Sequence, residues 1–86
     1  MNINELISIV KNKLHEEINI QNLKIHDKSF LHKNHKGNQP GKFHLKIEIQ
    51  SEELKKMDKI DSNKKIYKLL NDEMKEYIHS LQILIY

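Results

Sequence analysis

The sequence predicts one small α+β domain in which the helices pack on one face of a three-stranded sheet. Apolar residues recur every three or four positions over residues 3–16 and 63–80, which indicates helices, and they alternate with polar residues in three shorter segments, which indicates strands. The chain has 86 residues, enough for one core and too few for two. We therefore expect residues 1–86 to form a single domain.

The first helix is predicted over residues 3–16. Its apolar side chains fall on one helical face: Ile3, Leu6, Ile7, Val10 and Leu14. Asn2 stands just before this helix and Glu5 follows three positions later, which is the spacing of a capping pair. The sequence therefore predicts that the helix begins at this pair.

Two strands and a long connection follow the first helix. Leu23 and Ile25 alternate with polar neighbours in the first strand, and apolar and polar residues alternate across residues 43–50 in the second. Residues 27–42 between the two strands contain glycine and proline and have no period of their own. A connection of this length in a small domain is usually a functional loop.

The sequence of the second half of the chain predicts two helices followed by a last strand. Ser51 can cap a short helical turn over residues 52–57, and either Asp61 or Ser62 can cap a long helix over residues 63–80. Residues 82–86 alternate in the way a strand does. The predicted order is therefore α-β-β-α(short)-α-β.

Composition and motifs exclude several classes of function. The chain has no cysteine, so it can form neither a disulfide, nor a thiolate nucleophile, nor an all-cysteine metal or iron–sulfur site. The sequence contains no serine-hydrolase elbow, no phosphate-binding Gly-Lys loop and no H-E-x-x-H motif. It therefore predicts a protein that acts by binding a partner and is not an enzyme.

The charge pattern limits the partners that we expect. All 15 basic residues are lysines, and the formal net charge is +3. Because arginine is the residue that recognises guanine and phosphate through paired hydrogen bonds, this charge favours nucleic acid only weakly. The apolar runs are far shorter than the roughly 20 residues of a membrane helix, and no secretory leader is visible. We expect a cytoplasmic protein that does not act on membranes.

Histidine is the residue type that could carry metal chemistry here. The chain has six: His15, His26, His32, His35, His44 and His79. His15 is predicted near a helix end and His26 on the polar side of its strand, where surface exposure is expected for both. His32 and His35 form an H-x-x-H pair in the loop, which supplies only two of the four ligands of a structural zinc site.

Three short motifs lie in the first loop, in the second strand and at the end of the predicted long helix. They are Asp27-x-Ser29-x-x-His32, His44-Leu45-Lys46-Ile47 and Ile78-His79-Ser80-Leu81. Together with Ile66-Tyr67-x-x-Leu70 they resemble the BolA family, and the resemblance extends over nearly the whole chain. It implies a class II KH-like fold, whose element order matches the order predicted above.

The resemblance also implies a partner and a cofactor. BolA-like proteins are associated with monothiol glutaredoxins, with which they form heterodimers that can share a [2Fe–2S] cluster, in iron–sulfur cluster trafficking or iron sensing. One or two imidazoles can replace thiolates on one iron of such a cluster. A cysteine of the glutaredoxin and a glutathione would complete the ligand set, so we expect no cluster on this chain alone. When free, it is expected to be a monomer or a weak homodimer.

The ligands implied by the resemblance are histidines. His79 is the principal ligand, and the second comes from the loop or from the start of the second strand. His44 is the first choice because it matches a family position and is predicted on the polar side of its strand; His32 is next and His35 is last. The expected metal ligands are therefore His79 and His44.

A KH-like transcriptional regulator that binds nucleic acid is the alternative function. A KH domain clamps the nucleic-acid backbone with a G-x-x-G turn. The segment that would carry this turn, residues 50–61, contains no glycine. We therefore expect any binding of DNA or RNA to be weak.

Overall fold

The computed structural model describes residues 1–29 and 42–86, which form four helices and a three-stranded sheet. The elements are α1 (Ile3–Glu17), β1 (Asn22–Asp27), β2 (Phe43–Gln50), α2 (Glu52–Lys55), α3 (Lys59–Leu69), α4 (Asn71–Glu76) and β3 (Ile78–Ile85). β2 is the central strand, antiparallel to β1 and parallel to β3. The α+β prediction is confirmed, although the predicted long helix is divided in two.

The hydrophobic core lies between the helices and one face of the sheet. The sheet register sets Ile47 of β2 opposite Ile25 of β1 and Ile83 of β3, so apolar residues of all three strands point to the same side. The helical face predicted for α1 is confirmed, and its central residues are fully buried. The buried apolar residues are Leu6, Val10, Leu14, Ile18, Leu45, Ile47, Ile49, Leu54, Ile66, Leu70 and Ile78. Helices on one face of the sheet are thus confirmed as well.

Two predicted helix caps are present in the structure. The Asn2 side chain accepts a hydrogen bond from the backbone N–H of Glu5 at 2.8 Å and donates one to its carboxylate at 3.0 Å. Ser51 Oγ accepts from the backbone N–H of Leu54 and donates to the Asn19 carbonyl at 2.8 Å. Ser51 therefore caps the start of α2 and also binds the α1–β1 connection at Asn19.

The prediction of one helix over residues 63–80, capped by Asp61 or Ser62, is wrong. Asp58 is the cap, since its carboxylate accepts from the backbone N–H of Asp61 at 2.8 Å, and α3 therefore begins at Lys59. The helical path is interrupted at Leu70, whose ψ of 17° departs from the helical value. A separate helix, α4, follows over residues 71–76.

The last strand begins four residues earlier than predicted, at Ile78 instead of Gln82. Backbone pairing with β2 decides this boundary, because the Phe43 N–H donates to the Tyr77 carbonyl at 2.8 Å just ahead of the first paired residues. Apolar residues at 77, 78 and 81 fit a helical period, but the pairing with β2 overrides it. His79 consequently lies in a strand and not at a helix end.

The sheet face opposite the helices carries polar side chains. His26 lies there, as predicted, and its Nε2 is 2.7 Å from Glu48 Oε2 on the neighbouring strand. This contact with His26, reinforced by nearby lysines, lowers the pKa of the Glu48 carboxyl.

Within residues 1–29 and 42–86, no helix combines the length and the apolar character that crossing a membrane requires.

One ion pair joins the first helix to the fourth. Glu73 of α4 is buried, and its two carboxylate oxygens lie 2.8 and 2.9 Å from Lys13 Nζ of α1. The hydrogen bond to Glu73 raises the pKa of the Lys13 ammonium, although partial burial opposes the change. The sequence did not predict this pair, because its members are 60 positions apart.

Replacing Lys13 by Met should lower the free energy of unfolding by about 2 kcal/mol near neutral pH, because the buried Glu73 carboxylate loses its charged partner. The pKa of Lys13 is raised in the folded state, so the advantage of the native protein over this variant should persist up to the ordinary pKa of 10.5. Above that pH it should shrink as the folded ammonium deprotonates. Urea denaturation at several pH values measures both effects.

Lys11→Met is the matched control, since Lys11 is an exposed lysine of the same helix. Its unfolding free energy should change by less than about 0.5 kcal/mol. Equal losses in the two variants would contradict a stabilising role for the Lys13–Glu73 pair.

Candidate functional site

The structure brings together the two histidines that were predicted as metal ligands. The ring centroids of His44 and His79 are 4.9 Å apart, with an angle of 60° between the ring planes. The two residues come from neighbouring parallel strands, β2 and β3. The other two candidates, His32 and His35, lie outside the described residues.

A bulge in β3 accounts for the position of His79. Phe43 of β2 pairs with Ile78 of β3, but the next residue of β2, His44, pairs with Ser80. His79 is therefore an extra residue, without a partner in the ladder. A bulge redirects the side chain of its extra residue. This explains how the His79 ring reaches the His44 ring, although His44 pairs with Ser80.

The two rings differ in exposure. His79 is exposed, whereas His44 is 4% exposed. Alternation places His44 on the same sheet face as Lys46 and Glu48, which agrees with the prediction that it lies on the polar side. The prediction missed its burial, which arises because Ser80 and His79 of β3 contact its ring.

A serine fixes the orientation of the His44 ring. His44 Nδ1 lies 2.6 Å from the Oγ of Ser80, the residue that pairs with His44 across the ladder. In the tautomer that donates from Nδ1–H, the lone pair lies on Nε2, and a neutral histidine coordinates metal through such a nitrogen. In that tautomer the Ser80–His44 contact has the form of the hydrogen bonds by which outer partners orient metal-binding histidines.

The end of β1 also supports His44, through its backbone. The His44 N–H donates to Ser29 Oγ at 3.0 Å, and its carbonyl accepts from the Lys28 N–H at 2.7 Å. Ser29 is itself held by its N–H, which donates to Asp27 Oδ1 at 2.9 Å, the contact of an Asx turn. Asp27 and Ser29 of the first sequence motif therefore position the histidine of the second motif.

These supporting residues were not assigned a role from the sequence. The signal was available, since Asp27, Ser29 and Ser80 all lie in the motifs that resemble the BolA family. The position of His79 at a helix end, in contrast, was wrong. It lies three residues beyond α4, and its surroundings are those of an exposed strand bulge.

The described part of the chain does not form a complete metal site by itself. Within residues 1–29 and 42–86, no group of three or more His, Cys, Asp or Glu side chains could hold a metal ion. Two imidazoles are nevertheless the right donors for one iron of a [2Fe–2S] cluster in which histidine replaces cysteine. The donor set fits a cluster whose remaining ligands come from another molecule.

Comparisons with known proteins identify the family of the chain. Residues 14–86 match the family model described as BolA-like protein. The "DNA-binding transcriptional regulator BolA" of Haemophilus influenzae is 32% identical over 75 residues, which cover 87% of this chain and 70% of the relative.

Two solved structures are also similar. The BolA domain of SufE1 from Arabidopsis thaliana has a TM-score of 0.77 at 25% identity, covering 99% of this chain and 92% of that one. BolA1 from the same plant has a TM-score of 0.75 at 27% identity, covering 91% and 86%. The family model covers most of the chain, and the two solved structures have a similar fold. The chain therefore belongs to the BolA-like protein family.

Proposed function

We propose that this BolA-like chain is a binding adaptor that pairs with a monothiol glutaredoxin and shares a [2Fe–2S] cluster with it through His79 and His44. The observation that carries the proposal is the ring pair, in which an exposed imidazole lies 4.9 Å from a buried one. A cysteine of the partner and a glutathione would supply the remaining ligands. The pair would act in the cytoplasm, where thiols stay reduced.

Each histidine has a distinct part in this proposal. His79 is exposed and can reach a second molecule, whereas His44 is held by Ser80 and Ser29 and gives a fixed donor. When bound, the cluster supplies one-electron chemistry or is handed on as cargo, and imidazole ligands raise its potential relative to thiolates. The chain itself binds and orients; no turnover is assigned to it.

Replacing His79 by Ala should abolish the visible absorbance of a cluster reconstituted with this chain, a monothiol glutaredoxin and glutathione, or shorten its lifetime about tenfold or more. The side chain is exposed, so the unfolding free energy should change by less than about 0.5 kcal/mol. Visible absorption and circular dichroism of the purified complex measure the cluster, and thermal unfolding of the variant measures the fold.

His15→Ala is the matched control for His79→Ala, because His15 is exposed in the last turn of α1. The control complex should have the native spectrum. An unchanged spectrum and lifetime in the His79→Ala complex would remove His79 from the ligand set, and absence of any complex with the native chain would overturn the proposed partnership.

Ser80→Ala should weaken the site through His44. The buried imidazole loses a hydrogen bond, so we expect a loss of about 1 kcal/mol in unfolding free energy. The cluster lifetime should fall about tenfold because the ring is no longer oriented. Ser80→Thr, which keeps the hydroxyl, should restore the lifetime, and Ser8→Ala on the exposed side of α1 should leave it native. Equal lifetimes for the Ala and Thr variants would contradict this role for the hydroxyl.

Nucleic-acid binding is the second candidate function, because the Haemophilus influenzae relative is named as a DNA-binding transcriptional regulator. Exposed lysines lie on α2, on α3 and in the connection between them: Lys55, Lys56, Lys59, Lys64 and Lys68. The connection between these helices, residues 56–58, contains no glycine that would let a phosphate approach the backbone. These exposed lysines favour non-specific attraction over sequence recognition.

Binding of a 30-base-pair duplex should therefore be weak, with a Kd of about 10 μM or more at physiological salt. It should be indifferent to sequence and should weaken steeply as salt rises, because lysine contacts release counterions. Fluorescence anisotropy with two unrelated duplexes, at low and physiological salt, measures this. Selective binding that survives physiological salt would make the regulator the primary function.

A further inference from the structure

β3 is an edge strand that lacks the usual protection. Within the described residues it lies at the outside of the sheet, paired only with β2. Its eight residues include no lysine, acidic residue, proline or glycine, and Leu84 is 47% exposed. Edge strands usually carry such residues because an open edge invites another strand to pair with it. After the bulge at His79, residues 80–85 keep a regular register with β2.

The outer edge of β3 presents alternate backbone groups. Tyr86 is bonded inward, since its N–H donates to the Ile49 carbonyl and its own carbonyl accepts from Ser51. Alternation along a parallel ladder then directs the N–H and C=O groups of Ile83 and Ile85 outward. For these outward groups, no hydrogen-bond partner occurs among residues 1–29 and 42–86.

One side chain confirms this direction. Tyr67 Oη of α3 donates to the Leu81 carbonyl at 3.1 Å, which requires that carbonyl to point away from β2. Leu81 has the same parity as the two isoleucines that follow it. Tyr67 thus closes the edge at Leu81 and leaves the later part open.

A groove of about 400 Å³ runs beside this open part, between β3 and the α2–α3 segment. We refer to it as the edge groove. Its lining is partly apolar and partly polar. The apolar residues include Leu54, Met57, Ile83 and Ile85, and the polar residues include Lys55 and Lys59. A strand added to β3 would lie about 4.8 Å from it, so alternate side chains of that strand would enter the edge groove.

The charge of the edge groove identifies its occupant. Its lining includes Lys55 and Lys59 and no carboxylate. The Lys55 ammonium is half exposed and lies 3.8 Å from the exposed Glu52, a contact that contributes little. We propose that the edge groove binds an extended, acidic segment of a partner protein, which adds to β3 as a fourth strand.

Two other occupants are disfavoured by the same features. A second copy of the chain carries the same net charge of +3, so pairing two β3 edges would bring like charges together. A single-stranded nucleic acid that binds by base stacking would need aromatic side chains, and the described lining has none. Only a peptide can use the outward backbone groups as a ladder.

This surface is separate from the histidine pair. Ile83 and Ile85 of the edge groove are three and five positions along β3 from Ser80 of the pair, which corresponds to about 10 and 16 Å along a strand. The edge groove is therefore expected to bind its ligand whether or not His79 is present. A His79→Ala protein consequently distinguishes failure of this proposal from failure of the proposed cluster function.

The probe for the edge groove is a fluorescein-labelled decapeptide that alternates valine with glutamate, titrated with the full chain and read by anisotropy. It should bind about tenfold or more tightly than a peptide with lysine in place of glutamate. The double variant Lys55→Glu, Lys59→Glu should reverse this preference. The variant Lys11→Glu, Lys24→Glu changes the net charge equally at other exposed sites and should keep it.

Amide hydrogen exchange tests the strand addition itself. The glutamate peptide should slow exchange at the Ile83 and Ile85 amides and leave Gln82 and Leu84 unchanged, because the latter already donate to β2. Ile83→Pro removes one outward N–H and should abolish binding. If circular dichroism shows that the Ile83→Pro variant does not fold, the exchange pattern and the Lys55→Glu, Lys59→Glu variant still test whether the peptide adds to β3.

Four results would overturn the proposal. Equal binding of the two peptides would remove the charge argument, and uniform slowing of exchange would exclude strand addition. Stronger binding of an oligothymidine at the same residues would assign the edge groove to nucleic acid. A doubling of mass by sedimentation with slowed exchange at Ile83 and Ile85, in the absence of peptide, would assign it to a second copy.

Discussion

The parallel pairing of β2 with β3 is the constraint on which the rest of the molecule depends. It sets Ile83 beside Ile47, whose other neighbour is Ile25 of the antiparallel strand β1, and so completes the apolar face of the sheet that the helices cover. The same register sets Ser80 opposite His44 and brings His79 beside them. Because the two strands are distant in sequence, this pairing has to form against the entropy of closing a long loop. The core and the histidine pair therefore both depend on the pairing of β2 with β3.

Local features were predictable from the sequence because they depend on near neighbours. The Asn2 and Ser51 caps and the apolar face of α1 each follow from residues within one or two turns of each other. The alternation of β2 was equally clear, and it gave the correct face for His44. The family resemblance supplied His79 and His44 as a pair, and the structure brings these two rings together.

The parts that could not be predicted depend on distant partners. The apolar residues at 77, 78 and 81 fit a helical period. The strand that begins at Ile78 is set instead by backbone pairing with β2, starting with the hydrogen bond between Phe43 and Tyr77. The burial of His44 depends on which residues lie across the ladder, which alternation alone does not specify. The ion pair between Lys13 and Glu73 joins positions 60 apart for the same reason. Sequence patterns predict the faces of elements better than they predict what each face meets.

The bulge at His79 separates the chemistry of that position from the architecture of the sheet. The bulged residue has no partner across the ladder, and its exposed side chain adds little to the core. The side chain at this position can therefore change, from imidazole to thiol or carboxylate, with little effect on the sheet. A change in the chemistry of this one side chain would leave the fold intact.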